Sequence, residues 1–281
     1  MTGGIKRFSL TVSNTSLYIE GFTFPHMESI ASLKHLCREV ANAISEAVQD
    51  ERERCFDRFG TEVCMGADGT PTAHIDKVAE DVALEVIDGQ VNVLSEEAGF
   101  VDNDCMYTMV LDPIDGTRNA VNGVPFYCTS IAIGQRELSD IVYGLVRNLP
   151  TGDTYTAEKD QGGACNGRPI AVQTRAEPLL SLVLGTSGTE QAWQRVRQHH
   201  IRALGAAALE MSLVAAGALD AYYQANEYLR VTDFAAGTLL VREAGGAVYD
   251  SSGEELNVPL RLDVRSSVLA VADPAVREVI L

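Results

Sequence analysis

The stretch Leu111-Asp112-Pro113-Ile114-Asp115-Gly116-Thr117 constrains this chain more than any other, because it sets two carboxylates three residues apart behind an apolar run. Tyr107 to Leu111 reads as a buried strand. Pro113 fixes its own φ and biases Asp112 toward an extended backbone, so the chain is expected to turn sharply with both aspartates facing one spot. Carboxylate oxygens are hard ligands that suit Mg2+, Mn2+ or Ca2+. The same turn would offer the Ile114 carbonyl to that cation. Gly116 permits close backbone approach to a ligand. Free N–H groups at a turn or helix start bind phosphate, and Thr117 adds a hydroxyl able to position a water. An Asp-Pro turn with a capping aspartate is the plainer alternative.

A two-cation site needs more carboxylates than one such turn provides, so the rest of the chain has to bring them. With 281 residues, 46% of them hydrophobic, it can bury a sizeable core in one large domain or two subdomains. Its formal charge of −17, from 39 acidic against 22 basic residues, argues against nucleic acid or an anionic membrane as a partner. An acidic protein that binds phosphate must reverse the field locally, and carboxylates loaded with metal do that. No uninterrupted apolar stretch of about 18 residues occurs. Phe8 to Phe24 is too polar for a secretory core segment. The cysteines at 37, 55, 64, 105, 128 and 165 lack CxxC pairing and read as reduced thiols of a cytoplasmic protein.

Residues 1–26 are polar and aromatic without helical period and are expected to be an extension of unknown role, with a helix opening at Met27. Ile30, Leu33, Leu36, Val40, Ile44 and Val48 give that helix its period, and the charged run Asp50 to Arg54 closes it. Residues 60–72 read as a glycine-rich loop, and Ile75 to Val86 as a second amphipathic helix with Asp76 in its first turn. There Asp76 could simply complement the helix dipole. Val91 to Leu94 is a strand ending at Glu96 and Glu97, an acidic pair that would otherwise mark a surface turn. Residues 125–134, 141–146 and 154–157 read as an antiparallel meander, and 161–167 as a turn. Strands at 180–184, 221–224 and 268–271 then alternate with helices at 190–198, 206–218, 232–243 and from Pro274. Strands followed by helices, twice over, fit a layered α+β or α/β sandwich.

The motif DPIDGT resembles the signature of the inositol monophosphatase family of metal-dependent, lithium-sensitive phosphomonoesterases. A second signature matches at Val231-Thr232-Asp233-Phe234-Ala235-Ala236-Gly237, followed by Glu243 to Gly246. Ser95-Glu96-Glu97, Leu204-Gly205-Ala206-Ala207 and Leu219 to Tyr223 complete the set in family order. The resemblance implies a five-layer α-β-α-β-α fold, two or three Mg2+ ions (Mn2+ as a substitute), and a homodimer. It also implies that residues 27–281 form the phosphatase domain, with subdomains of about 27–180 and 181–281.

Carried over onto this sequence, the resemblance assigns Glu96, Asp112 and the Ile114 carbonyl to a first metal, with Glu96 and Thr117 orienting its water. Asp112, Asp115 and Asp233 would hold a second metal, and Asp76 a third, weaker one with its water. Asp233 also reads as a helix cap, a role compatible with metal ligation. Asp115, Gly116 and Thr117 would meet the phosphate, and Thr186, Gly205 and Ala206 the rest of the substrate. Two departures stand out: Thr232 replaces the family's usual tryptophan, and Gln224 replaces the glutamate that holds inositol hydroxyls in animal members. YLRVTDFAAG looks more like the archaeal branch, many of whose members hydrolyse both inositol 1-phosphate and fructose 1,6-bisphosphate. Arg230 and Arg202 are candidates for a second phosphate. Two other readings are a nucleotidase acting on adenosine 3′,5′-bisphosphate and a non-catalytic regulator that kept the fold, although no metal ligand is lost.

Overall fold

The computed structural model describes residues 29–67, 69–183 and 190–281, together with short strands at 11–13, 16–19 and 22–23. Those three, β1 (Thr11–Ser13), β2 (Ser16–Ile19) and β3 (Phe22–Thr23), pair antiparallel within the segment expected to be an extension without helical period. Met27 and Glu28, the expected helix start, lie outside the described residues. Helix α1 (Ile30–Cys55) is capped by Ser29, whose side chain accepts from the Ser32 N–H. The glycine-rich loop contains a hairpin, β4 (Glu62–Met65) with β5 (Pro71–Ala73). Its turn signal was legible; its short exposed β4 arm had no alternating pattern to reveal it.

Beyond the hairpin come α2 (His74–Ile87), β6 (Asn92–Ser95), β7 (Gly99–Val101), β8 (Thr108–Asp115) and α3 (Thr117–Val121). Next are β9 (Cys128–Gly134), β10 (Tyr143–Asn148), β11 (Thr154–Glu158), β12 (Gly162–Cys165) and β13 (Arg168–Ile170). The segment read as a turn at 161–167 is therefore mostly strand, ending in a turn. These strands make one eight-stranded sheet in the order β13-β12-β11-β10-β9-β8-β6-β7. A second, five-stranded sheet has the order β15-β14-β16-β18-β17. It is built from β14 (Leu179–Val183), β15 (His200–Arg202), β16 (Ala221–Arg230), β17 (Ala247–Tyr249) and β18 (Arg265–Val271). Helices α4 (Glu190–Val196), α5 (Ala207–Ala215), α6 (Val231–Glu243) and α7 (Pro274–Ile280) complete the chain.

Period-two alternation sorts the core. On the large sheet Val93, Met109, Leu111, Ile131, Ile133 and Leu145 face α1 and α2, while Leu94, Val110, Ala132 and Val146 face α5 and α6. On the small sheet Tyr222, Val268 and Ala270 join that same middle cluster, and Leu182, Tyr223 and Leu269 pack with Val276 and Ile280 of α7. Helices, sheet, helices, sheet, helices: this is the five-layer α+β arrangement the sequence suggested. The middle helices are covered on both sides and buried nearly all round, which explains their run of Ala, Gly, Leu and Val. Gly144 on β10 allows α6 to approach the large sheet closely. A Cβ there would sit 3.2 Å from the Ala236 carbonyl oxygen.

Candidate active site

Each acidic candidate sits at the end of a different element, and the layers bring those ends together. Asp112 and Asp115 do not flank a free turn: they close strand β8, with Pro113 between them at a register shift. Asp112 pairs with Ser130 and Asp115 with Cys128, so two residues, Pro113 and Ile114, oppose the single residue Thr129. Such a bulge tolerates a proline because its nitrogen owes no ladder bond there. It also points both aspartates to one side. Gly116 then turns the chain at φ +90, and α3 starts at Thr117. A side chain at Gly116 would meet the Ala206 Cβ at 3.0 Å and the Gly205 oxygen at 3.1 Å, so the two candidate substrate segments touch here.

Glu96 follows β6, and Asp233 lies in the first turn of α6. One ligand atom from each of Glu96, Asp112 and Asp233 falls within 4.8 Å of the others. Asp115 is held beside them by the start of α5, its Oδ2 accepting from the Ala208 N–H at 2.7 Å. Asp76 joins through Thr117, whose Oγ1 lies 3.0 Å from Asp76 Oδ1 and 3.0 Å from the Ile114 carbonyl. One hydroxyl proton can serve only one of these two acceptors at a time.

Burial raises every aspartate of the group, and neighbouring carboxylates add to it at Asp112, Asp115 and Asp76. Asp112 goes well above the usual range through burial and then the charges of Asp115, Glu96, Asp233 and Asp76. Asp115 is pushed up to about 8 by burial and Asp233, against amides of Ala208 and Ala207 that pull it down. Asp76 rises to about 7, mainly through burial, with the Thr117 hydrogen bond opposing. Burial raises Asp233 as well, while Arg230, the Thr232 hydroxyl and Arg265 counter it. A nest of buried oxygen donors, with no thiolate or imidazole ligand among the described residues, fits hard divalent cations.

Thr232, the departure from the family pattern, is buried and donates its Oγ1 hydroxyl to Asp233 Oδ1 at 3.2 Å. Gln224 is buried on β16 opposite Val268, and residues 225–228 form the register shift before Leu229. Arg230 is not presented to solvent: its Nη2 lies 2.8 Å from Glu96 Oε1. Arg202 is exposed on β15, with Nη1 on the Ile201 carbonyl at 2.8 Å. Thr186 lies outside the described residues.

Two buried glutamates escaped the sequence reading. Glu80 accepts from Ser95 and from the Ala98 N–H at 2.9 Å, fixing the turn that carries Glu96. Glu210 takes the N–H groups of Leu204, Gly205 and Ala206 at 3.1, 3.2 and 3.3 Å, and the Ser181 hydroxyl. An acid inside an otherwise apolar helical run was the available signal for Glu210, whereas Glu80 sits among Lys77, Asp81 and Glu85 with no such mark.

Residues 29–280 match the inositol monophosphatase family. The chain is 34% identical over 267 residues to a fructose-1,6-bisphosphatase/inositol-1-monophosphatase of Methanothermobacter thermautotrophicus, covering 88% of this chain and 92% of that one. It is 38% identical over 237 residues to a bifunctional NADP phosphatase/NAD kinase of Methanococcus maripaludis, covering 74% of this chain but spanning only 42% of that protein. Among solved structures, a Pyrococcus horikoshii protein with similarities to inositol-1 monophosphatase superposes with a TM-score of 0.80 at 29% identity, covering 90% of this chain and 98% of that one. Fold and site together define a phosphoric monoester hydrolase with a layered α+β architecture. The chain belongs to the inositol monophosphatase family.

Proposed function

We propose that this protein hydrolyses phosphate monoesters of sugars and polyols, inositol 1-phosphate and fructose 1,6-bisphosphate in particular, with Mg2+ as its cation. The observation that carries the reading is the convergence of Glu96, Asp112 and Asp233 within 4.8 Å, beside Asp115 and the Gly116 turn. Glu96, Asp112, the Ile114 carbonyl, Asp115 and Asp233 would hold two cations, with Asp76 beside a third. Bound there, divalent cations would neutralise phosphoryl oxygens and acidify a water.

The chain's own groups do the rest. The N–H groups at Gly116 and Thr117, at the start of α3, receive phosphate oxygens. Thr117, donating to Asp76, keeps its oxygen lone pairs for the proton of an attacking water, and Glu96 is the carboxylate that orients that water. Gly205 and Ala206, fixed by Glu210 and touching Gly116, supply the wall for the alcohol portion. Gln224 and Thr186 are the remaining candidates for contact with the alcohol portion. The phosphatase unit is residues 27–281, a reading supported by the family match over 29–280. The expected homodimer is measurable by sedimentation velocity.

Phosphate release from inositol 1-phosphate, fructose 1,6-bisphosphate, NADP and adenosine 3′,5′-bisphosphate, with Mg2+ and with chelator, tests the proposal. Mg2+-dependent release from the first two supports it, and release unaffected by chelator overturns it. NADP belongs in the panel as a second reading because of the 38% identity to the Methanococcus relative. A preference for NADP over both sugar esters would install that reading instead.

A further inference from the structure

Arg230 ends β16 and touches two of the three clustered carboxylates from different sides. Its backbone N–H donates to Asp233 Oδ2 at 2.8 Å, and its Nη2 lies 2.8 Å from Glu96 Oε1. The same Nη2 is 3.5 Å from Thr70 Oγ1 in the β4–β5 turn. The side chains of Arg230 and Glu96 are only 16% and 19% exposed, so water screens the pair poorly. Glu96 lies in the turn between β6 and β7 of the large sheet, and Arg230 ends β16 of the small one. The ion pair therefore ties the two sheets together at the cluster.

The charge balance suggests why. Asp112 is raised by the charges of Asp115, Glu96, Asp233 and Asp76, and Glu97 adds to the field at Asp76. Against them, Arg230 and Arg265 are the cations that act on Asp233. Arg265 also donates to the carbonyls of Leu262 and Val264, at 2.8 and 3.4 Å. Arg230, besides acting on Asp233, is ion-paired with Glu96, a second candidate metal ligand.

Resting on the reading of this cluster as a cation site, we infer that Arg230 is its built-in counter-cation. Its guanidinium neutralises Glu96 in the metal-free protein, and a divalent cation must draw Glu96 away from it. Arg230 thus stabilises the empty site and weakens cation binding. Loading the site releases a guanidinium beside the substrate, where a second anionic group would find it. A residue that merely oriented Glu96 would have the opposite effect, since its removal would loosen a ligand and weaken binding.

Arg230→Gln and Arg230→Lys separate the two roles. Calorimetric titration with Mn2+, without substrate, reads cation affinity, and thermal melts in chelator read the metal-free fold. Arg230→Gln is expected to bind Mn2+ about tenfold more tightly, because one positive charge has left a poorly screened site. In chelator it is expected to melt about 2–4 °C lower. Arg230→Lys keeps the charge but loses the planar fork, and should lie between wild type and Arg230→Gln in both measurements. Mn2+ affinity that falls or stays level in a folded Arg230→Gln protein overturns the inference. If the wild type binds no divalent cation, the cation-site reading fails; the chelator melts then still decide whether Arg230 stabilises the cluster, and an unchanged melt rejects it.

Discussion

The Asp115 carboxylate, at the end of a central strand, accepts a 2.7 Å hydrogen bond from the backbone N–H of Ala208 in the first turn of α5. That contact fixes the side chain without neutralising it. Asp115 still rises to about 8 from the ordinary 3.8, since burial and Asp233 outweigh the two amides. A carboxyl raised by folding favours its protonated form in the native state, so the folded protein holds more protons than the unfolded chain between these two values. Its contribution to stability is fully present below the unfolded value and is lost as pH rises through the folded one. Asp76, raised to about 7, acts in the same sense. The metal-free protein should therefore lose melting temperature as pH climbs from about 4 to about 8. Mg2+ should restore much of the loss at the alkaline end, because a bound cation replaces the protons. Melts in chelator across this range check it; a melting temperature that rises with pH would refute the assignment.

Asp233 carries both a cap and a candidate ligand oxygen. Asp233→Asn keeps an acceptor for the Arg230 N–H but removes a charge from the cluster. Turnover is expected to drop by at least about a hundredfold. The melting temperature in chelator should hold or rise, since one member of a repelling group is gone. Steady-state assays and melts on the same preparation decide this. Near-normal turnover would return Asp233 to the role of helix cap alone.

Arg230→Ala bears on substrate range. If the guanidinium meets the outlying phosphate once Glu96 is engaged elsewhere, hydrolysis of fructose 1,6-bisphosphate should suffer more than that of inositol 1-phosphate. The expected difference in kcat/KM is about 1–3 kcal/mol. Equal losses on both substrates would assign Arg230 to the shared site only.

Deleting residues 1–26 should leave folding and hydrolysis intact, since the family match begins at 29 and α1 has its own cap in Ser29. Circular dichroism and phosphate release on the shortened chain test this. An insoluble or inactive product would mean that the segment packs on the catalytic unit or on a second copy.

The sequence by itself determined a good deal of this protein. The periods of α1 and α2, the apolar strands of the large sheet, the layered class and the acidic candidates were all legible. Each is written in local order: a period of 3.6 or 2, a proline beside an aspartate, a motif beside its strand. What the tertiary structure decided depends on contacts between residues far apart in the chain. Only the closing of the two sheets over α5 and α6 brings Glu96, Asp112 and Asp233 within 4.8 Å. The DPID segment proved to be a bulged strand end because β9 pairs along it, and no local signal carries a partner's register. Arg230 proved to be paired with Glu96 for a related reason. A charged side chain with limited access to water takes the opposite charge that packing presents, and a sequence does not say which carboxylate that is.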